Sequence, residues 1–104
     1  MIEAIGIETS PGEDGPVLLG VVADPVRWRL LAALADRGTH CVCELQPIGG
    51  VAPNVLSYHL KVLREAGLVT AAKRGRWVDY TLTSDAHERI TAALPTVSSG
   101  VPVG

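Results

Sequence analysis

The stretch from residue 53 to residue 83 constrains the fold of this chain more than any other. Pro53 is a residue favoured at the first position of a helix, and Gly67 is one favoured just beyond the last. At about 100° per residue, leucines fall on one side of the intervening segment and polar residues on the other. The two groups are Leu56, Leu60 and Leu63, and Asn54, Tyr58, Lys61 and Glu65. The pattern predicts an amphipathic helix over 53–66 with a polar face free for a partner.

Two short segments with β-strand character follow this helix. Residues 68–73 and 77–83 are rich in strand-favouring side chains and are separated by Arg74-Gly75-Arg76. Apolar and polar residues alternate in the second segment, as expected for a hairpin with one covered face. We therefore predict a two-stranded hairpin with a basic tip.

The residues before Pro53 complete a recognisable motif. Asp24-Pro25 is a strong helix start, and Gly38 is expected to cap that helix at its C-terminal end. Residues 40–48 have helical spacing but contain Pro47, which allows at most a short helix before a glycine turn. Two helices joined by such a turn form a helix-turn-helix, and the hairpin that follows is then a wing.

The chain is expected to divide into three regions. They are a flexible N-terminal arm over residues 1–16, a folded domain over 17–94 and a frayed tail over 95–104. A short first helix is expected near Val17, and a last helix from the cap Ser84 to Leu94. The predicted fold class is α+β and mostly helical: a winged helix-turn-helix with about five helices plus a two-stranded β-hairpin wing. Because 104 residues bury only a marginal core, we expect a homodimer.

The distribution of charge favours nucleic acid as a partner despite a net charge of −2. Between Asn54 and Tyr80 the chain has five basic residues and two acidic ones, so one face can meet phosphate. We expect Asn54, Ser57 and Tyr58 in the groove of double-stranded DNA, Lys61 and Arg64 near phosphates, and Arg74 and Arg76 on the wing. His59 lies beside the core face, where either a hydrogen-bonded structural role or a phosphate contact is expected. A dimer predicts an operator with an inverted repeat.

Both cysteines of the chain, Cys41 and Cys43, stand just ahead of the predicted helix-turn-helix turn. Soft ions prefer thiolates, and two thiolates from one segment can chelate one ion, with a third position left to water, a small thiol or another side chain. Side chains two apart on a regular helix point about 200° from each other, so binding needs a non-helical backbone or produces one. We predict a ligand-controlled switch beside the DNA-binding helix. The alternatives are cysteines that only fill the core, or a redox switch that uses the same pair.

Four blocks of the chain, in this order, resemble the ArsR/SmtB family of bacterial repressors. They are residues 23–31, 41–45, 57–69 and 73–80, and the match covers roughly 17–94. The resemblance implies a winged-helix homodimer paired through its first and last helices, with repression released when a metal or metalloid binds. The Cys-Val-Cys-acid-Leu block is similar to that of arsenite-responsive members, so it implies As(III), or Sb(III), as an inducer held by Cys41 and Cys43 and an arsenic-resistance operon as the target. Gln46 and Pro47 stand in the stretch where such members often have a third cysteine.

Other candidate groups are weaker. Asp85-Ala86-His87 resembles half of the last-helix zinc site in other branches of the family, but Ser98 and Val101 stand where the second half would fall, so no zinc site is expected. Trp28 and Trp77 are expected to be packing residues.

Several alternatives stay open on sequence grounds. The repressor could respond instead to Cd(II), Pb(II) or a thiol oxidant, or the chain could be a protein-interaction module. A small thiol oxidoreductase lacks the flanking strand and long helix of a thioredoxin-like site, so we expect no enzyme. The N-terminus lacks a secretory signal and no apolar stretch is long enough to span a bilayer, so a cytoplasmic protein without a membrane partner is expected.

Overall fold

The computed structural model describes residues 11–95 of the 104-residue chain. Within this part, five helices and three strands follow one another: α1 (Pro11–Ala23), α2 (Pro25–Leu34), β1 (Thr39–Cys41), α3 (Val42–Gly49), α4 (Pro53–Glu65), β2 (Val69–Arg74), β3 (Trp77–Leu82) and α5 (Ala86–Ala93). The predicted α+β winged helix-turn-helix is confirmed, with one strand more than the two expected. Most of the predicted arm and the predicted tail, residues 1–10 and 96–104, lie outside the described residues.

The first helix begins at Pro11 rather than near Val17, so residues 11–16 belong to α1 and not to an arm. Proline is compatible with the first position of a helix, and the helix buries Leu18 and Val22 in the core. Gly15 is used for close packing: a Cβ there would lie 2.9 Å from the carbonyl oxygen of Ala93 in α5. Gly15, which lies within the predicted arm, instead lets α1 and α5 approach each other.

The second helix starts as predicted and ends differently. The Asp24 carboxylate accepts hydrogen bonds from the backbone N–H groups of Val26 at 2.8 Å and Arg27 at 3.1 Å, which makes it the N-cap. The helix ends at Leu34, and the left-handed residue after it is Arg37, with φ of 68°, not the expected Gly38. The Gly38 N–H donates to the Asp36 carboxylate at 2.7 Å, so a side-chain turn leads into β1.

The sheet is antiparallel with the strand order β1-β3-β2. Residues 40 and 41 were expected to be helical but belong to β1, in which Cys41 pairs with Asp79 of β3. The short helix α3 then contains Pro47 instead of ending before it. Arg29 of α2 supplies hydrogen bonds to the C-terminal end of α3, since its guanidinium donates to the carbonyls of Ile48 at 3.2 Å and Gly49 at 2.7 Å.

The amphipathic helix α4 matches its prediction, and Gly67 follows it with φ of 78°. Its leucines join a core of fully buried side chains from α2, α3, α4 and the start of β2: Leu30, Leu34, Leu45, Leu56, Leu60, Leu63, Leu68 and Val69. The last helix begins at Ala86 after Asp85, so Ser84 is not its cap as predicted. Thr83 stabilises the junction between β3 and α5, because its hydroxyl donates to the Gly67 carbonyl at 2.9 Å.

None of the helices between residues 11 and 95 has the length and apolarity that a membrane crossing requires.

Candidate functional site

The polar face of α4 is open to solvent. Five of the side chains predicted to contact DNA are exposed on it: Asn54, Ser57, Tyr58, Lys61 and Arg64. Tyr58 is 58% exposed, and the neighbouring Val55 adds an apolar side chain that is 38% exposed. The opposite side of the helix packs in the leucine core, so α4 can offer its polar face to a partner without losing its packing.

His59 is separated from the other predicted contacts. Its side chain is buried, with 8% of the residue exposed, and its Nδ1 lies 2.9 Å from Nη1 of Arg27. Of the two roles expected for His59, the hydrogen-bonded structural one matches this environment. We therefore leave it out of the proposed DNA contacts.

The wing carries two exposed arginines in different surroundings. Arg74 forms a double hydrogen bond with the Asp79 carboxylate, Nε to Oδ2 at 2.7 Å and Nη2 to Oδ1 at 3.0 Å. This hydrogen bond is the main cause that holds the pKa of Asp79 below its ordinary value and raises the pKa of Arg74. Arg76 lies at the tip, where it is exposed. Arg74 is therefore shared with a carboxylate of the same hairpin, whereas Arg76 forms no side-chain hydrogen bond or ion pair with any other residue between 11 and 95.

Both tryptophans were expected to pack, and both are largely exposed: Trp28 is 60% and Trp77 44% exposed. Trp77 follows the basic tip and pairs with Arg74 across the hairpin. The alternation of apolar Val78 and Tyr80 with polar neighbours puts position 77 on the outer face, so the signal was present in the sequence. Trp77 is thus an additional candidate for contact with DNA.

The two cysteines come together at the junction of β1 and α3. Cys41 is the last residue of β1 and the N-cap of α3, with an extended backbone (φ −66°, ψ 148°), and its Sγ accepts a hydrogen bond from the Cys43 N–H at 3.1 Å. The Cα atoms lie 5.1 Å apart, and the two sulfur atoms are joined as a disulfide. Because Cys41 precedes the helix, the sulfurs converge without any distortion of α3. Of the two backbones expected at this pair, one already non-helical and one made so by binding, the first is present at Cys41.

Three polar side chains surround this junction. The Glu44 carboxylate accepts the Cys41 N–H at 3.0 Å and completes a capping box. Nε2 of His40 contacts both oxygens of Asp36, at 2.9 and 3.0 Å, and its Nδ1 lies 3.3 Å from Glu44 Oε1. The hydrogen bond to Asp36 is the largest cause that raises the pKa of His40. Both ring nitrogens of His40 thus face carboxylates.

No third ligand completes the cysteine pair in residues 11–95, where no group of three or more His, Cys, Asp and Glu side chains could hold a metal ion. Gln46, at the position of the additional family cysteine, donates instead to the carbonyl of Val51. It closes the turn between α3 and α4.

The fold connects the cysteine pair to both elements that were predicted to contact DNA. Cys41 pairs with Asp79 of β3, and Asp79 holds Arg74 of the wing. The helix that Cys41 caps is the first helix of the helix-turn-helix, one turn before α4. Cys41 is therefore connected to α4 through α3 and to the wing through β3.

Comparison with known proteins gives a consistent assignment. A family model described as bacterial regulatory protein, arsR family, matches residues 24–71. The arsenical resistance operon repressor of Bacillus subtilis (strain 168) is 41% identical over 64 residues, which cover 62% of this chain and 61% of that protein. The chain thus spans about three fifths of the length of the first curated relatives that it matches.

Solved structures share the fold. A crystal structure described as a possible transcriptional regulator for arsenical resistance is 37% identical, with a TM-score of 0.67, and the match covers 72% of this chain and 77% of that one. The AntR antimony-specific transcriptional repressor is 29% identical, with a TM-score of 0.68 and coverage of 86% and 81%. These relatives are transcriptional regulators rather than enzymes. The chain therefore belongs to the arsR family of bacterial regulatory proteins.

Proposed function

We propose that this protein is a DNA-binding transcriptional repressor that leaves its operator when As(III) or Sb(III) binds Cys41 and Cys43. The observation that carries the proposal is the convergence of both sulfurs at the N-cap of α3, one helix before the recognition helix. The relatives that repress arsenical resistance operons and the antimony-specific neighbour support a metalloid as the inducer and an arsenic-resistance operon as the target.

DNA binding uses α4 and the wing. The exposed face of α4 enters the major groove with Asn54, Ser57 and Tyr58, while Lys61 and Arg64 neutralise phosphates. Arg76 and Arg74 on the wing contact the backbone or the minor groove. A repressor with these contacts meets its operator in the cytoplasm.

Metalloid binding acts through the cap of α3. In the reduced protein both thiolates coordinate the ion, and a water, a small thiol or a further side chain supplies the third position. The lone pairs of Cys41 Sγ that cap the Cys43 N–H then turn toward the ion, so the start of α3 loses its cap and the strand pairing with Asp79 is disturbed. A loss of about a hundredfold in DNA affinity requires about 2.7 kcal/mol of coupling, within the range that allosteric proteins show.

We also propose that the repressor is a homodimer paired through α1 and α5. Val17 of α1 is 71% exposed and Leu94, which follows α5, is 49% exposed. Such apolar side chains on a small monomer favour burial by a second copy. A two-fold dimer reads an inverted repeat whose half-sites lie about one helical turn apart.

The test is fluorescence anisotropy of labelled promoter DNA with the reduced protein, with and without arsenite or antimonite. Wild type is expected to bind and then to release, and a Cys41→Ser/Cys43→Ser double variant to bind and stay bound. A Thr39→Ser variant is a matched control, because it changes an exposed hydroxyl side chain of β1, the strand that ends at Cys41, and keeps both thiols. Release of the double variant by arsenite, or binding by wild type that ignores both metalloids, contradicts the proposal.

The disulfide favours a second candidate inducer, a thiol oxidant. Hydrogen peroxide can take two electrons and two protons from the two thiols, leaving the disulfide and two water molecules. The same anisotropy assay distinguishes this reading: peroxide would release wild type, a reducing thiol would restore binding, and arsenite would have no effect.

A further inference from the structure

His59 is the one buried polar or charged side chain among the described residues, although it belongs to the recognition helix. Its neighbours along α4 on the buried side are Leu56, Leu60 and Leu63. An apolar residue would fill this position at lower cost, because a buried imidazole is unfavourable unless its nitrogens are hydrogen-bonded. Packing alone therefore does not explain a histidine at position 59.

Arg27 of α2 supplies the partner. Its Nη1 lies 2.9 Å from Nδ1 of His59, and its Nε donates to the carbonyl of Val21, near the end of α1, at 2.7 Å. One guanidinium thus joins three helices, α1, α2 and α4. Asp24 Oδ1 lies 3.9 Å from the same Nδ1 and is occupied by the two backbone N–H groups that it caps.

The chemistry of this contact fixes the tautomer of the imidazole. Arginine has only donors, so Nδ1 of His59 accepts the hydrogen bond and the ring proton lies on Nε2.

We infer that Arg27 and His59 are positioning residues for DNA recognition, whose hydrogen bond sets the orientation of α4 against α1 and α2. This inference rests on the proposed DNA-binding function. Asn54 lies about 7.5 Å from His59 along the helix axis, so a tilt of about 15° at His59 moves Asn54 by about 2 Å. A displacement of that size exceeds the range over which a hydrogen bond to a base edge can form.

The experiment compares two replacements of His59 in operator binding. His59→Asn puts an amide oxygen near the place of Nδ1 and can accept from Arg27, whereas His59→Leu fills the space without an acceptor. We expect His59→Leu to weaken operator binding at least about fivefold and His59→Asn to restore most of the affinity. Circular dichroism during thermal unfolding checks that each variant is folded at the temperature at which operator binding is compared.

Salt dependence separates positioning from phosphate contact. The slope of log affinity against log salt should be the same in wild type and His59→Leu, because neither side chain neutralises a phosphate. Lys61→Gln is the matched control, and its slope should fall by about one. A reduced slope for His59→Leu would mean that His59 contacts phosphate, which overturns the inference.

Normal operator affinity in His59→Leu overturns the inference.

Two further measurements cover the remaining outcomes. If His59→Leu does not fold, Arg27→Lys is measured instead. A lysine cannot donate to Val21 and His59 together as the planar guanidinium does, so this variant should also lose operator affinity. If wild type binds no promoter DNA, the proposed function fails, but nitrogen NMR of the free protein still tests the contact. A proton on Nδ1 of His59 at neutral pH would then overturn the inference.

Discussion

Asp24 and His40 show how single side chains set the pH response of this protein. Asp24 caps α2, and although desolvation pushes its pKa upward, the backbone N–H groups of Arg27 and Val26 hold the pKa below 3.8. His40 is shifted in the opposite sense by Asp36. The two groups therefore stabilise the fold in different pH windows.

For Asp24, replacement by alanine should lower the free energy of unfolding by about 1 kcal/mol near neutral pH, because two backbone N–H groups lose their acceptor. A carboxyl whose pKa is depressed in the folded state stabilises above its unfolded pKa, and this contribution is lost as the pH falls through the folded pKa. Urea unfolding at pH 7 and pH 3 should therefore show a difference between wild type and Asp24→Ala that shrinks in acid. A difference that is constant with pH would argue against the cap.

For His40, the expected change is in its titration. Asp36→Asn should return the pKa of His40 toward 6.5, because the hydrogen bond to Asp36 is the largest cause of the shift, and Glu44→Gln should have a smaller effect. A histidine with a raised pKa stabilises below its unfolded pKa, and this support disappears as the pH rises through the folded value. Proton NMR of the ring checks both variants; an unchanged pKa in Asp36→Asn would contradict the contact.

At the scale of elements, the junctions decide how α4 is held. Gly67 joins α4 to β2, and Arg89 of α5 donates to its carbonyl at 3.0 Å. Arg29 closes the end of α3, and Gln46 closes the turn before α4. Contacts from other elements therefore hold α4 at both of its ends.

A pair of glycine substitutions tests the first of these junctions. Gly67→Ala should cost about 1–2 kcal/mol, since φ is 78° and the new Cβ would lie 2.8 Å from Nη1 of Arg89. Gly20→Ala, inside α1 with no atom within 4 Å of the new Cβ, should instead stabilise by up to about 1 kcal/mol. Chemical denaturation measures the free energy of unfolding of both variants. A change of the same sign in both would show that the left-handed backbone at Gly67 does not limit stability.

Elements with local signals were predictable. The start of α2, the span of α4 and the hairpin each depend on side chains within a few positions, such as Asp24, Pro53 and Gly67. The strand β1 was not predictable in this way, because it forms only by pairing with β3 some forty residues later. The alternation that marks a strand also cannot be read from three residues.

At the scale of the whole molecule, several large apolar side chains are exposed on the surface. Val17 and Trp28 are 71% and 60% exposed, and a groove between α2 and α5 is lined by Trp28, Leu31 and Ile90. The proposed dimer through α1 and α5 would reduce this exposure.

Val17→Glu should therefore shift the protein from dimer to monomer, because a charge would be buried against an apolar partner surface. Val55→Glu is the control: it adds the same charge to an exposed apolar site on α4, 38% exposed, and should stay dimeric. Sedimentation velocity measures both. A wild-type monomer, or dissociation of both variants alike, would speak against pairing through α1.

The sequence by itself determined the helix-turn-helix, the wing and the residues on the open face of α4, because periodicity, caps and turn residues act over a few positions. Only the tertiary structure decided that the Cys41 and Cys43 sulfurs meet, since this depends on β1 ending at the cap of α3. It likewise decided that His59 turns inward to Arg27, thirty-two residues away. Such contacts depend on how elements pack in space, which local propensity does not encode.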